Sequence, residues 1–419
     1  MNGAGRTLMA LVAGLLAGAA LKAAGQPGLL HLARGLAPIG ELWLTALRMT
    51  LVPLIFALVV TAVGAWTSAG QGGRVVGLAL GVFAALLALA AVLGSGLMAL
   101  SLRLWPVQPG ALAFLGHAAG ARPAIPTLSQ QLMSLIPPNP VAAAASGDMT
   151  PLVVFALLLG LALTCVAPER RRAVTQALQG VGDAMMVIVG WILLAAPAGV
   201  FVLALGVALN SGLGAAGVLA QAVVLLCIAA AVGIGVCHLI ARWAGGVGFG
   251  RFARAALGPQ AVAAGTCSSM ATLPALLEAA ERKLAIPDAV AGAVLPLAVS
   301  SFRFGNVIMV TATALFAACA AGLHPSVGQI ALAGFVAILT NLGVAGLPAA
   351  AVLYAAEAPA FQALGAPLEL LPMLIAVSAI EDVFDTTCNV TADLAATTVV
   401  ERLLGRRAAR PAAPEPVSA

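Results

Sequence analysis

The chain has 419 residues, of which 62% are hydrophobic and 8% charged, with a mean hydropathy of +1.08. Soluble domains average near a quarter charged residues, so a water-soluble enzyme or nucleic-acid-binding domain is excluded and a polytopic membrane protein implied. The net charge of +5 needs no polyanionic partner, because most basic residues lie in loops beside apolar runs.

Apolar runs place transmembrane spans at about 7–25, 38–67, 74–103, 149–167, 181–208, 214–241, 287–322 and 366–404. Arg6 ahead of the first run imitates a signal peptide, but the many later spans make it a first transmembrane helix. Several runs exceed twenty residues, which predicts tilted or broken helices. With the N-terminus inside, the cytoplasmic face receives Arg6, Arg74, Arg170, Arg171, Arg172, Arg242, Arg251, Arg254, Arg282, Lys283, Arg402, Arg406, Arg407 and Arg410. The outer face receives Lys22, Arg34, Arg103 and Arg122, which satisfies the positive-inside bias. A multi-pass protein of the cell inner membrane with both termini cytoplasmic is expected. Residues 104–148 read as an irregular, Pro/Ala/Gly-rich connection, and residues 406–419 as a disordered tail.

Two stretches are too short-armed to be spans. Residues 253–281 hold two arms around GTCSSMATLP (265–274), and residues 328–360 hold two around NLGVAGLPAAA (341–351). Arms of ten to fourteen apolar residues suggest re-entrant hairpins, with tip backbone satisfied by protein or a water-filled cavity. The two enter from opposite faces, the inverted repeat of secondary transporters; two ordinary loop hairpins are the plainer alternative. Between them, residues 301–306 read as the unwound centre of a broken seventh span, with Arg303 at mid-membrane needing an acidic partner.

The last span carries IEDVFDTTCNVTADL (380–394). At 100° per residue Asp382, Asp385, Thr386, Asn389 and Asp393 share one arc. Insertion scales put a mid-membrane charge at roughly 2.5–3.5 kcal/mol, so three aspartates on one stripe must face protein, water, an ion or a solute. A lone Asp or Asn is as readily a polar seam between helices. Five such groups on one arc are a binding site. The six cysteines are scattered without CxxC or Cys/His spacing, and no nucleophile–base pair or metal site appears, so neither an enzyme nor an organic cofactor is expected.

Four blocks resemble the dicarboxylate/amino acid:cation symporter family, the glutamate-transporter fold. They are LRMTLVPLIFALVV (47–60), LIPPNPVAAAASGDMTPLVVFALLLGLAL (135–163), SSMATLP (268–274), and GVAGLP (343–348) with Asp382, Asn389, Val390, Thr391 and Asp393. The resemblance implies an all-α polytopic protein of eight transmembrane helices plus two re-entrant hairpins in inverted repeats, working as an elevator. It implies a homotrimer in the lipid bilayer that carries a small-molecule solute, with no nucleic acid involved. Residues 1–73 and 104–213 would form the scaffold; residues 74–103 and 214–405 would form the moving transport domain. Asp382 would take a solute amine, Asn389 and Ser269 a carboxylate, with Ser268, Asn306, Thr386, Leu347 and Pro348 lining the same pocket. Asp393 and Asn389 would hold a cation, Na+ or H+.

The departures from the family are as informative. Its NMDGT motif is here Phe302-Arg303-Phe304-Gly305-Asn306, so two sodium-ligating side chains are lost, and the third span has no Tyr and few hydroxyls. Sodium needs oxygen ligands. Asp385 stands where acidic-amino-acid carriers hold a carboxylate-reading Arg, and Cys267 replaces a first-hairpin Arg. The expectation is a carrier of an amino-acid-like or dicarboxylate solute with little or no sodium coupling, in which Arg303 substitutes for a cation and Asp385 is its partner. The rivals are a conventional sodium- or proton-coupled dicarboxylate or acidic-amino-acid symporter with Arg303 replacing the missing Arg, and a degenerate carrier acting as a channel or sensor.

Overall fold

Runs of Ala, Leu, Val and Gly in an apolar medium must satisfy their backbone groups within one segment, and the helix does so. The computed structural model describes residues 3–70, 74–107, 136–146, 149–211, 214–343 and 349–408, and every regular element among them is helical. The first half holds α1 (Gly3–Ala24), α2 (Pro27–Arg34), α3 (Ala37–Gly70), α4 (Arg74–Leu104), α5 (Pro140–Ser146), α6 (Met149–Thr164), α7 (Pro168–Leu194) and α8 (Ala196–Ser211). The second half holds α9 (Gly214–Trp243), α10 (Phe249–Thr266), α11 (Leu273–Glu278), α12 (Asp288–Ser301), α13 (Phe304–Ala320), α14 (Val327–Gly343), α15 (Ala349–Leu364) and α16 (Leu371–Ala408).

Local chemistry sets several boundaries. Gly25 ends α1 with φ +62°, a conformation that favours glycine. Asn139 starts α5 by accepting from the Val141 and Ala142 N–H groups at 2.9 and 3.2 Å. The fifth span, expected at 181–208, is instead two helices parted at Ala195. Pro197 cannot donate a backbone bond but fits the second position of α8, where none is needed. Helix α2 was not foreseen, and α16 runs to Ala408, three residues into the expected tail. Residues 108–135 of the predicted connection lie outside the described residues.

Four described helical segments are long and apolar enough to cross a membrane: Arg74–Leu104, Pro168–Ile192, Ala216–Trp243 and Asp288–Ala320. Shorter apolar helices include Met9–Ala24, Pro151–Thr164 and Ala196–Leu209. Arms α10 and α11 pack on each other, as do α14 and α15. Thr340 Oγ1 ties the second pair together by donating to the Ala356 carbonyl at 3.2 Å. Residues 344–348, between those arms, are outside the described residues.

Small residues let the helices approach closely. A Cβ at Gly18 of α1 would meet the Leu205 carbonyl oxygen of α8 at 2.6 Å. Two large buried cores and a small one between α2 and α8 result. The first joins α1, α3, α6, α8, much of α9, α13 to α15 and the start of α16; the second joins α4, the end of α9, α10, α12, the start of α13 and the C-terminal half of α16.

Candidate functional site

The site forms where a helix stops, restarts and is held by a third helix. Helix α12 ends at Ser301, and Phe302 (φ −103°, ψ 101°) and Arg303 (φ −116°, ψ 72°) are extended before α13 begins. A restarting helix has orphan N–H groups. Asn389 of α16 satisfies two of them, its Oδ1 accepting from Gly305 N at 2.8 Å and Asn306 N at 3.3 Å. The expected unwound stretch, 301–306, is therefore shorter: Gly305 and Asn306 are helical because a side chain from another helix caps them. Gly305 has to be small, since a Cβ there would lie 2.6 Å from Asp385 Oδ1 and 2.9 Å from Cys388 Cβ.

The stripe on α16 is assembled as expected, and at a rise of 1.5 Å per residue its acids extend over about 16 Å. Asp382 is half-buried, whereas Asp385, Thr386, Asn389 and Asp393 are buried. Thr386 Oγ1 donates to Asp382 Oδ1 at 3.3 Å, and Asn389 Nδ2 donates to Asp385 Oδ1 at 3.3 Å. Asn306 is buried and donates from Nδ2 to Asn341 Oδ1, which brings the end of α14 to the site. Gln260 of α10 reaches Thr391 at 2.9 Å.

At the first tip Cys267 is left-handed (φ 48°) and lies within electrostatic reach of Asp382 and Asp385. Ser268 Oγ accepts from Ala271 N at 3.3 Å, while the Ser269 hydroxyl is uncommitted among the described residues. Leu347 and Pro348 lie outside the described residues.

Arg303 differs from expectation in its partner. Among the described residues no ion pair within 4.0 Å joins it to Asp385, and its buried Nε has no hydrogen-bond acceptor. It lies instead within electrostatic reach of Asp382, Asp385 and Asp393 together. Both oxygens of Asp393 are buried without a donor. Around the break Phe302 and Phe304 are fully buried, and Phe302 stacks on Phe83 of α4 with centroids 4.6 Å apart. Phe304 tilts against Phe302 at 6.3 Å.

Three groups beside the site were not singled out in the sequence: Asn341, Glu357 of α15 and Glu381 of α16. Glu381 falls about 100° round the helix from Asp382, off the stripe. Glu357 carried a signal, as the one charged residue between 328 and 364.

A bundle of apolar helices with a polar centre at a helix break and paired short helical arms fits a multi-pass transporter. The sequence profile of the sodium:dicarboxylate symporter family matches residues 4–403, and the chain belongs to that family. It is 31% identical over 325 residues to a C4-dicarboxylate transport protein of Azorhizobium caulinodans, covering 75% of this chain and 70% of that one. It is 26% identical over 408 residues to a proton/glutamate-aspartate symporter of Escherichia coli, covering 94% and 91%. A proton/sodium-glutamate symport protein of Bacillus caldotenax is 25% identical over 413 residues, covering 94% and 93%.

Proposed function

We propose that this protein is a secondary active transporter of a small, amine-bearing, amino-acid-like solute, moved by an elevator mechanism with little or no sodium coupling. The observation that carries this reading is the exchange of oxygen ligands for packed aromatics at the helix break. Phe83, Phe302 and Phe304 line the break with carbon, and the oxygens beside it, Asn389 Oδ1 and Asp385 Oδ1, already accept from Gly305 N, Asn306 N and Asn389 Nδ2. Arg303, between the three aspartates, brings a permanent positive charge that does not dissociate. Asp393 keeps the chemistry of one cation position, since its two donor-free oxygens are what a cation or a proton satisfies.

Asp382, half-buried and bonded to Thr386, would meet the amine, with Ser268, Ser269, Asn306 and Asn389 as the proposed pocket's other polar groups. Leu347 and Pro348 complete the proposed pocket. Asp385 in place of an arginine disfavours a second carboxylate on the solute. The division into a scaffold of residues 1–73 and 104–213 and a transport body of residues 74–103 and 214–405 rests on the family resemblance. We propose a homotrimer, as the family resemblance implies, in a bacterial inner membrane, with both termini cytoplasmic on the charge pattern of the loops.

A second reading has its own support. The relatives' names and the presence of Arg303 favour a dicarboxylate or an acidic amino acid, with Arg303 reading the distal carboxylate. Thermal melting against a panel of amino acids and C4-dicarboxylates, with and without sodium, separates the two. The first reading expects stabilisation by amine-bearing solutes in either salt. Stabilisation by succinate-like diacids alone, and only with sodium, contradicts it. Counterflow of labelled against unlabelled solute in proteoliposomes then separates a carrier from a channel or sensor.

A further inference from the structure

Beside the stripe, two buried glutamates lie on packed helices, α15 and α16, with no cation or hydrogen-bond donor paired to them among the described residues. Glu357 of α15 and Glu381 of α16 are each 5% exposed, and Glu357 Oε2 and Glu381 Oε1 are buried without a hydrogen-bond donor. The two lie within electrostatic reach of one another and of Asp385. Arg303 bears on the aspartates and not on this pair. The other ionisable groups bearing on it are Asp382 and the Cys227 thiol of α9. Helices α6, α8 and α14, which pack on α15 or α16, carry no charged side chain, and α13 adds only the Cys319 thiol. Glu41 of α3, Arg74 of α4, Asp183 of α7, Asp288 of α12 and Glu369 between α15 and α16 are exposed, and the side chain of Arg48 of α3 is outside the described ones.

Two ionised carboxylates this close, out of water and without a cation or donor, repel each other and forfeit their hydration. A bound proton removes one charge and supplies the missing donor. The pair also straddles two elements, the second arm of one hairpin and the helix that bears the solute stripe. A shift of α15 against α16 would expose it to water.

We propose that the Glu357–Glu381 carboxyl pair is a proton-binding site, and that the proton it holds travels with the solute. The coupling half of this rests on the transporter reading above; the proton site does not. A proton from the water on one side joins a carboxylate oxygen of the pair and makes a neutral carboxyl. On opening to the other side it returns to water, with no other bond made or broken.

Infrared difference spectroscopy of the lipid-embedded protein tests the site without any solute. A protonated-carboxyl C=O band at neutral pH is expected, lost on raising the pH and lost in Glu357→Gln/Glu381→Gln. Its absence from the unmodified protein overturns the site. Coupling is tested in proteoliposomes with L-aspartate and L-alanine as probes and the membrane potential clamped. An acid-outside gradient should raise accumulation about tenfold per pH unit for one proton carried. The double Gln variant should lose that gain while exchange of labelled for unlabelled probe falls less than about twofold. A gain retained in the variant, or absent from the unmodified protein, overturns the coupling. No exchange of either probe with the infrared band intact counts against the transporter reading and the coupling together, and leaves the proton site standing.

Discussion

Asn389 shows how one side chain can serve two ends of a site. Its oxygen caps α13 and its nitrogen holds Asp385, so Asn389→Ala frees two buried N–H groups and a carboxylate at once. Each buried polar group left unpaired costs about 1–3 kcal/mol, so a fall in melting temperature is expected even without solute. Asn389→Ala with unchanged melting would show that the cap carries no weight. Asp382 is different, because its hydrogen-bond partner among the described residues is Thr386 of the same helix. Asp382→Ala should leave melting nearly unchanged and weaken an amine-bearing solute by about 10–150-fold, the worth of a charged hydrogen bond of about 1.5–3 kcal/mol. Unchanged affinity by calorimetry would remove Asp382 from the site. At Arg303 the Ala variant should abolish transport or make it depend on an added cation, since three aspartates then share no positive charge. Exchanging Arg303→Asp with Asp385→Arg tests the narrower idea of a charge swap. The absence of a direct ion pair predicts only partial recovery over either single change, measured as initial uptake rate.

The helix break joins sequence to energetics most directly. Reading the chain placed the break within one residue of where α12 ends, because Arg303 and Asn306 interrupt an apolar run. The cap that shortens it was not legible, since Asn389 is more than eighty residues away. Hairpin arms were legible for a similar reason: Gly, Ser and Pro interrupt runs too short to span. The split of the fifth span at Ala195 was missed because the apolar run continues across it and only Pro197 marks it. Glu357 and Glu381 were missed because one lies off the stripe and the other sits alone. At the aromatic cluster, Phe302→Asn with Phe304→Asp restores oxygen to the break. Removing two buried rings costs about 3–5 kcal/mol each, so lower stability is expected, relieved by sodium but not by potassium. Equal melting in both salts would mean that the aromatics are not what excludes the ion. At the tips, cysteines at Ser268 and Gly343 should change reactivity toward a water-soluble thiol reagent in opposite senses when solute is added. Equal reactivity at both under every condition would rule out alternating access.

At the scale of the whole molecule, the family and the all-helical architecture follow from features spread along the entire chain, which is why four short blocks sufficed to find them. The proposed ion chemistry rests instead on a few positions at the helix break. A carrier that keeps Asp393, fills the helix break with phenylalanine and fixes an arginine among its aspartates should work without a sodium gradient. The direct measurement is uptake by proteoliposomes of whichever amino acid or diacid raises the melting temperature, with external sodium replaced in turn by potassium and by choline. The account predicts initial rates within about twofold in all three salts. Uptake that requires sodium, with several sodium ions entering per solute, would contradict it.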